Sequence, residues 1–340
     1  TPPPAPQAGK MRSRPKRAIV QPALLVLLVV VMAIVVARIA RAAQTDLMKA
    51  CARGDLASAK SLLLEARSLD ADTGQGPLHS LALAENAVVS KDASEWVRVL
   101  SGAGCDVDLR DGDGYSALLW AAQRNNLAVA RALIAAGATT NVRSKTEAIS
   151  PLLAAAQSGN TKMIRLLLGA GADPNQVSSR GISSLVAAVS RGDTAAPTVK
   201  ALIDGGIDVN LRTKELGISA LHVAAQEGHV KLAKLLAKRG KVNVNVLNEA
   251  GISPLMLASA KGHVKIVQLL LDEGADVDYK VEWDLGGEEG QDAGDTWDDD
   301  EDEEEGVPRV KERTFINALS MAQSYEHEGI VELLERHMDL

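Results

Sequence analysis

The chain has 340 residues and a formal net charge of −7, from 37 basic and 44 acidic residues. Residues 281–305 hold 14 of the acidic residues and no basic one, so the rest of the chain carries 37 basic against 30 acidic residues. The 2 cysteines can form one disulfide bond at most, which excludes the small secreted domains that are held together by a disulfide framework.

The first predicted element is an apolar helix at residues 18–37, which contain no charged side chain. Twenty helical residues are long enough to cross a hydrocarbon core of roughly 30 Å. We interpret the segment as a single transmembrane helix that follows a Pro-rich and basic tail, residues 1–17. A cleaved secretory signal is the alternative, because basic residues precede the run and an Ala-Arg-Ala triplet follows at 40–42, although signals usually have a shorter apolar run.

After the apolar run, one phrase recurs along the chain at a spacing of 33 to 40 residues. In its clearest copies a serine precedes a short apolar segment rich in alanine, and a serine hydroxyl can cap the first turn of a helix. A longer apolar segment follows and ends at a glycine, which predicts a second helix with a left-handed stop. The leucines that mark the register are Leu78, Leu118, Leu152, Leu185, Leu221 and Leu255.

The two fullest copies of this phrase are GISALHVAAQEGHV from Gly217 and GISPLMLASAKGHV from Gly251, the latter followed by GADVD from Gly274. They resemble the ankyrin-repeat family, whose pattern reads G-x-T-P-L-H-x-A-A-x-x-G-H and then G-A-D-V-N. The resemblance implies an all-α repeat solenoid, a stack of helix-turn-helix units joined by short hairpins. Serine replaces the threonine of the pattern and keeps the capping oxygen. We predict seven repeats in residues 44–280 and a C-terminal capping repeat in residues 307–340.

Residues 281–306 separate the last two predicted repeats. This segment is too charged and too rich in glycine to bury a core, so we interpret it as a disordered acidic insertion at a hairpin position. A solubilising spacer is the simplest interpretation. The alternative is a docking segment for a basic partner, with Trp283 and Trp297 as the candidate contacts.

The sequence contains no convincing catalytic, cofactor-binding or metal-binding pattern. Asp111 and Asp113 resemble part of a calcium loop, but Leu109 and Trp120 occupy the positions of its first and last ligands. We therefore predict a protein that is not an enzyme and that needs neither a cofactor nor a metal ion.

The resemblance implies that a protein partner binds the concave face, which the hairpins and the exposed side of each first helix form. Two aromatic side chains fall there in one unit, and we interpret them as an anchor because aromatic residues dominate interfaces. The alternative for the tryptophan of that pair is packing between neighbouring helices. The candidate protein-binding residues are Tyr115, Trp120, Gln123, Arg124, Gln157, Arg191, Gln226 and Glu227.

The predicted function is a non-catalytic protein–protein interaction scaffold or adaptor, tethered to a membrane by residues 18–37. The resemblance and the scarcity of cysteine favour a cytoplasmic location for the repeats. One alternative is a secreted or lumenal ankyrin protein with a cleaved signal, and another is an acidic chaperone-like or ion-buffering protein that acts through residues 281–305. We expect a protein partner on the concave face, a basic protein segment on the acidic loop, the membrane, and no nucleic acid.

Overall fold

The computed structural model describes residues 75–83, 92–102, 104–239, 241–283 and 314–338. The predicted transmembrane helix at 18–37, the first predicted repeat and the centre of the acidic segment lie outside these ranges. Among the described residues, no helix is both long and apolar enough to span a membrane.

The described residues form helix pairs that follow one another with the period of the sequence repeat. The first helices of the pairs, here called inner helices, are α1 (Pro77–Leu83), α3 (Ala117–Gln123), α5 (Pro151–Ser158), α7 (Ser184–Val189), α9 (Ala220–Glu227), α11 (Pro254–Ala260) and α13 (Ala318–Ser324). The second, outer helices are α2 (Ala93–Gly102), α4 (Leu127–Ala135), α6 (Thr161–Gly169), α8 (Ala196–Asp204), α10 (Val230–Arg239), α12 (Val264–Asp272) and α14 (Glu328–Met338).

The predicted serine caps are confirmed at five inner helices. At α5, for example, the Ser150 hydroxyl accepts a hydrogen bond from the backbone N–H of Leu153 at 3.2 Å. Such a bond satisfies one of the amide groups that a helix start leaves unpaired, and its loss typically costs about 1 kcal/mol. The five capping serines are Ser116, Ser150, Ser183, Ser219 and Ser253.

The predicted glycine stops are also present where the structure describes them. Gly137, Gly171, Gly206 and Gly274 follow outer helices and have φ angles between 84° and 91°. A side chain at such an angle would meet its own carbonyl oxygen, which is why glycine is the residue that ends these helices. The fifth predicted stop, Gly240, lies outside the described residues.

One continuous apolar core runs through the stack. Inner helices pack on inner helices of the adjacent pairs, as α3 does on α1 and α5, and outer helices pack on outer helices in the same way. Small buried residues such as Ala121 and Ala155 let these helices approach closely, and the core extends from Leu78 to Leu334. Each unit therefore depends on its neighbours for burial, as in other solenoids.

A ladder of side-chain hydrogen bonds joins the turns that follow the outer helices. Asn175 accepts a bond through Oδ1 from the backbone N–H of Asp208 in the next repeat, at 2.7 Å. Asn or Asp occupies the equivalent position in four other repeats and makes the same bond at 2.8 Å. The further pairs are Asp108 with Thr139, Asn141 with Asp173, Asn210 with Asn243, and Asn245 with Asp276.

The acidic segment is flanked by two paired strands. β1 (Val281–Trp283) runs antiparallel to β2 (Thr314–Ile316), with Val281 opposite Ile316. The side chain of Val281 is 9% exposed and packs against the apolar core. The strand β1 therefore occupies the first three residues of the segment that is predicted as an acidic insertion from residue 281. Residues 284–313 connect the two arms of this hairpin.

Candidate functional site

The candidate anchor Trp120 is buried on the inner helix α3. Its side chain is 6% exposed, and its ring lies 4.8 Å from that of Tyr115, measured between centroids. The indole Nε1–H donates a hydrogen bond of 2.9 Å to Oδ2 of Asp111. The prediction that Trp120 is exposed is therefore wrong, and the alternative of a packing role describes its position. Both its apolar surface and its polar group are satisfied inside the protein.

Asp111 organises the hairpin in front of this helix. Its buried carboxylate accepts hydrogen bonds through Oδ1 from the backbone N–H groups of Asp113, at 3.1 Å, and Tyr115, at 2.8 Å. Through Oδ2 it accepts the bond from Trp120. The carboxylate thus fixes a tight turn, which explains why the segment looked like part of a calcium loop. No group of side chains in the described ranges is arranged to hold a metal ion.

Two buried histidines join consecutive repeats. His79 and His222 contact the carbonyl oxygens of Tyr115 and Ile252 through Nε2, each at 3.0 Å. In both rings Nδ1 faces a backbone N–H, that of Gly76 for His79 and that of Ser219 for His222. Because Nδ1 accepts, Nε2 must carry the proton, and the ring is the neutral tautomer that donates to the next repeat. Burial lowers the pKa of both imidazoles, since it disfavours their charged form.

Replacing both histidines by glutamine should reduce the pH dependence of stability. An unfolded histidine has a pKa of about 6.5. Because the folded pKa is lower, the unfolded state binds more protons below that pH. The contribution of neutral His79 and His222 is therefore complete above about pH 6.5 and is lost as the pH falls toward the folded pKa. The urea midpoint should drop less between pH 7 and pH 5 in the double variant than in the wild type.

Leu216→Gln is the matched control for this experiment, because it introduces a glutamine on an exposed hairpin without removing an imidazole. Its urea midpoint should change with pH as that of the wild type does. Equal slopes for the wild type and the double variant would contradict the assignment of the two buried imidazoles as neutral links between repeats.

The other candidate residues lie near the carboxyl ends of inner helices. Gln157 on α5, Arg191 just after α7, and Glu227 on α9 are exposed. Gln123, Arg124 and Gln226, at the equivalent positions, are half-buried and fall in the same row along the stack. The structure thus places six of the eight candidates on one inner face, which we define by these six residues.

The inner face is held in place by bonds between repeats. Arg191 donates a hydrogen bond through Nη1 to the carbonyl oxygen of Gln157, at 2.6 Å. Two repeats further on, His263 contacts the carbonyl oxygen of Gln226 through Nε2, at 3.1 Å. His327 makes the corresponding contact with Ala260 at 3.2 Å. The Gly-His step of the repeat marks one of these links in the sequence, at Gly262-His263, and no repeat pattern marks the other two.

A model of a known family matches most of these repeats. The model is described as ankyrin repeats in three copies, and it matches residues 84–178 and 185–281, which together are more than half of the chain. The chain belongs to the ankyrin-repeat family. A search of curated proteins found no match. Ankyrin repeats generally bind protein partners and are typically not enzymes, so the chain is assigned to the class of protein–protein interaction modules.

The ankyrin hairpins also carry exposed apolar side chains that the sequence reasoning missed. Leu216 is 64% exposed in the hairpin before α9, and Phe315 is exposed on β2. In the sequence, Leu216 is distinctive because it is a leucine at a hairpin position where other repeats have polar residues, such as Glu147 and Arg180. The two candidates on the acidic segment stay predictions, because Trp297 and the side chain of Trp283 lie outside the described residues.

Proposed function

We propose that this chain is a non-catalytic ankyrin scaffold that binds a protein partner on the inner face and is tethered to a membrane by residues 18–37. The observation that carries the proposal is the row of exposed side chains at the carboxyl ends of consecutive inner helices, which includes Gln157, Arg191 and Glu227. A binding surface is most effective when its side chains are held by a rigid framework before the partner arrives.

The row is chemically mixed. Gln157 offers an amide, the side chain of Arg191 a cation, and that of Glu227 an anion. Such groups suit the polar part of an interface, which sets the register and rejects wrong partners. The apolar part requires an exposed anchor, and Trp120 is not available for this role. Leu216, in the hairpin of the same repeat as Glu227, is the side chain that we assign to it.

Photo-crosslinking tests where the partner lies. A benzophenone amino acid is introduced into the full chain at Gln157 or at Glu227, which are exposed on inner helices. The matched control carries it at Ala135, which is exposed at the end of the outer helix α4. We expect an adduct of the same mass and identity from the two inner positions and none from the control. Adducts from Ala135 alone would contradict the proposal.

Two arginines in the apolar run should release the protein from membranes. Each arginine at the centre of a membrane helix costs about 2.5–3.5 kcal/mol on insertion scales. We therefore expect the wild type to resist washing with alkaline carbonate, and the variant Leu27→Arg/Val30→Arg to appear in the supernatant. Leu216→Arg, on an exposed hairpin, is the control and should stay with the membrane. Recovery of a soluble wild-type chain beginning near Ala43 would favour a cleaved signal instead.

Protease treatment of sealed vesicles tests the side of the membrane on which the repeats lie. If the repeats are cytoplasmic, protease added to vesicles whose cytoplasmic face points outward should digest the repeat domain. A protected repeat domain that becomes sensitive only after detergent is added would favour the lumenal alternative.

A further inference from the structure

The outer helices carry a cation at one fixed position in four consecutive repeats. The fifth residue is basic in each of the helices α4, α6, α8 and α10, and all four side chains are exposed. In α6, the side chains of Ile164 and Leu167 are buried and face the core, whereas that of Arg165 is exposed. The basic side chain therefore lies on the solvent side of its helix. We call this set the basic row: Arg131, Arg165, Lys200 and Lys234.

A second set of lysines broadens the row into a surface. The second residue of three outer helices is also an exposed lysine: Lys162, Lys231 and Lys265. Residues three apart on a helix are neighbours, so each lies beside the fifth position of its own helix. Outer helices pack on one another in chain order, and helix axes in contact are about 8–10 Å apart. The four cations of the basic row therefore span on the order of 24–30 Å.

The basic row has almost no opposing charge on its own helices, whereas Asp272 of the adjacent helix α12 lines a groove together with Lys234 and Lys265. Within the described part of the chain, no side chain of the basic row donates a hydrogen bond or forms an ion pair. Helices α4, α6 and α10 contain no carboxylate, and α8 has one, its last residue Asp204. The basic row stops after α10, because the fifth residue is Gln268 in α12 and Glu332 in α14.

We propose that this outer surface lies against an anionic lipid surface and thereby orients the ankyrin stack along the membrane. The proposal rests on the tether proposed above, which would keep the repeats close to a bilayer and so raise the effective concentration of head groups. The geometry would then leave the inner face directed away from the lipid and open to a partner.

The chemistry of the outer helices favours lipid over other anionic partners. Helices α4, α6, α8, α10 and α12 contain no aromatic residue. Aromatic side chains supply the anchors of protein interfaces and the stacking platforms for single-stranded nucleic acids. A layer of anionic head groups needs neither, because it attracts cations through charge alone. Each Lys or Arg near such a surface strengthens binding roughly fivefold, and salt weakens the effect.

Amine footprinting of the full chain in sealed vesicles tests this proposal. A membrane-impermeant amine reagent is applied to vesicles of phosphatidylcholine alone and to vesicles that also contain phosphatidylserine. We expect Lys200, Lys231 and Lys265 to react several-fold more slowly when phosphatidylserine is present, and high salt to abolish the difference. Lys214 and Lys280, exposed on hairpins, are internal controls that should react equally in both. Equal rates for the outer lysines in the two kinds of vesicle would overturn the proposal.

Charge-reversal variants show whether the protection depends on the outer surface or only on the net charge of the protein. The variant Arg131→Glu/Arg165→Glu/Lys200→Glu/Lys234→Glu should lose the protection at Lys231 and Lys265. The matched variant Arg110→Glu/Arg180→Glu/Lys214→Glu/Lys280→Glu changes the net charge by the same amount, but on the hairpins. It should keep the protection at Lys231 and Lys265. Equal loss of protection in both variants would overturn the proposal.

Two further experiments complete the test. The first distinguishes lipid from an acidic polypeptide as the occupant, and the second tests the basic surface without the membrane tether. If polyglutamate protects these lysines in neutral vesicles as strongly as phosphatidylserine does, an acidic polypeptide is the better occupant and the lipid proposal is wrong. If carbonate releases the wild-type chain, the tether has failed. The released chain is then mixed with the same two kinds of vesicle, and protection by phosphatidylserine alone would still support the lipid surface.

Discussion

Replacing Trp120 by alanine is expected to lower the free energy of unfolding by about 3–5 kcal/mol. The substitution leaves a cavity beside Tyr115 in the third predicted repeat, and it removes the indole N–H that binds the buried carboxylate of Asp111. An acceptor that loses its partner inside a protein adds a desolvation cost. Urea unfolding of the full chain, followed by circular dichroism, measures the change.

Trp120→Phe separates the two causes. It keeps most of the ring and removes only the hydrogen bond to Asp111, so we expect a loss of about 1–3 kcal/mol. An unchanged unfolding curve for Trp120→Ala, together with lost binding to the partner, would restore the interpretation of Trp120 as an exposed anchor.

Replacing Leu152 by alanine should destabilise the protein by about 2–5 kcal/mol. Leu152 is 1% exposed in the first turn of α5, between the neighbouring inner helices α3 and α7. Because each repeat is stabilised by its neighbours, the damage should spread along the stack. Hydrogen exchange should therefore accelerate for the amides of α3 and α7 as well as for those of α5.

Leu216→Ala is the matched control, since the same atoms are removed from a side chain that is 64% exposed. Its effect on stability should stay within about 0.5 kcal/mol. Exchange that accelerates only within α5 in Leu152→Ala would contradict the nearest-neighbour account of the stack.

The elements that were predicted correctly depend on local rules. A serine before an alanine-rich run caps its own helix, as Ser219 does, and a glycine after an apolar helix supplies its own left-handed angle, as Gly171 does. These outcomes need no knowledge of residues far along the chain. Start signals, stop signals and period therefore sufficed to predict the helix pairs.

The errors arose where a side chain depends on a distant or folded environment. The burial of Trp120 depends on the turn that Asp111 folds and on the orientation of Tyr115, and neither follows from register. Arg191 appears in the sequence as a free surface charge, but it also binds a carbonyl oxygen 34 residues earlier. Exposure of Leu216 likewise depends on how its hairpin is placed. Such three-dimensional neighbours determine which residues of a correct repeat are available for binding.

The affinity of the full chain for the partner that crosslinks from Gln157 and Glu227 is the most direct measurement of inner-face recognition. The variant Leu216→Glu/Glu227→Arg changes two exposed side chains of one repeat, and Ala135→Arg changes an exposed position on an outer helix. We expect the first variant to raise the Kd at least about tenfold, equivalent to about 1.4 kcal/mol, and the second to leave it unchanged. Both should unfold at the midpoint of the wild type. An unchanged Kd in the first variant, or a raised Kd in Ala135→Arg, would contradict recognition by the inner face.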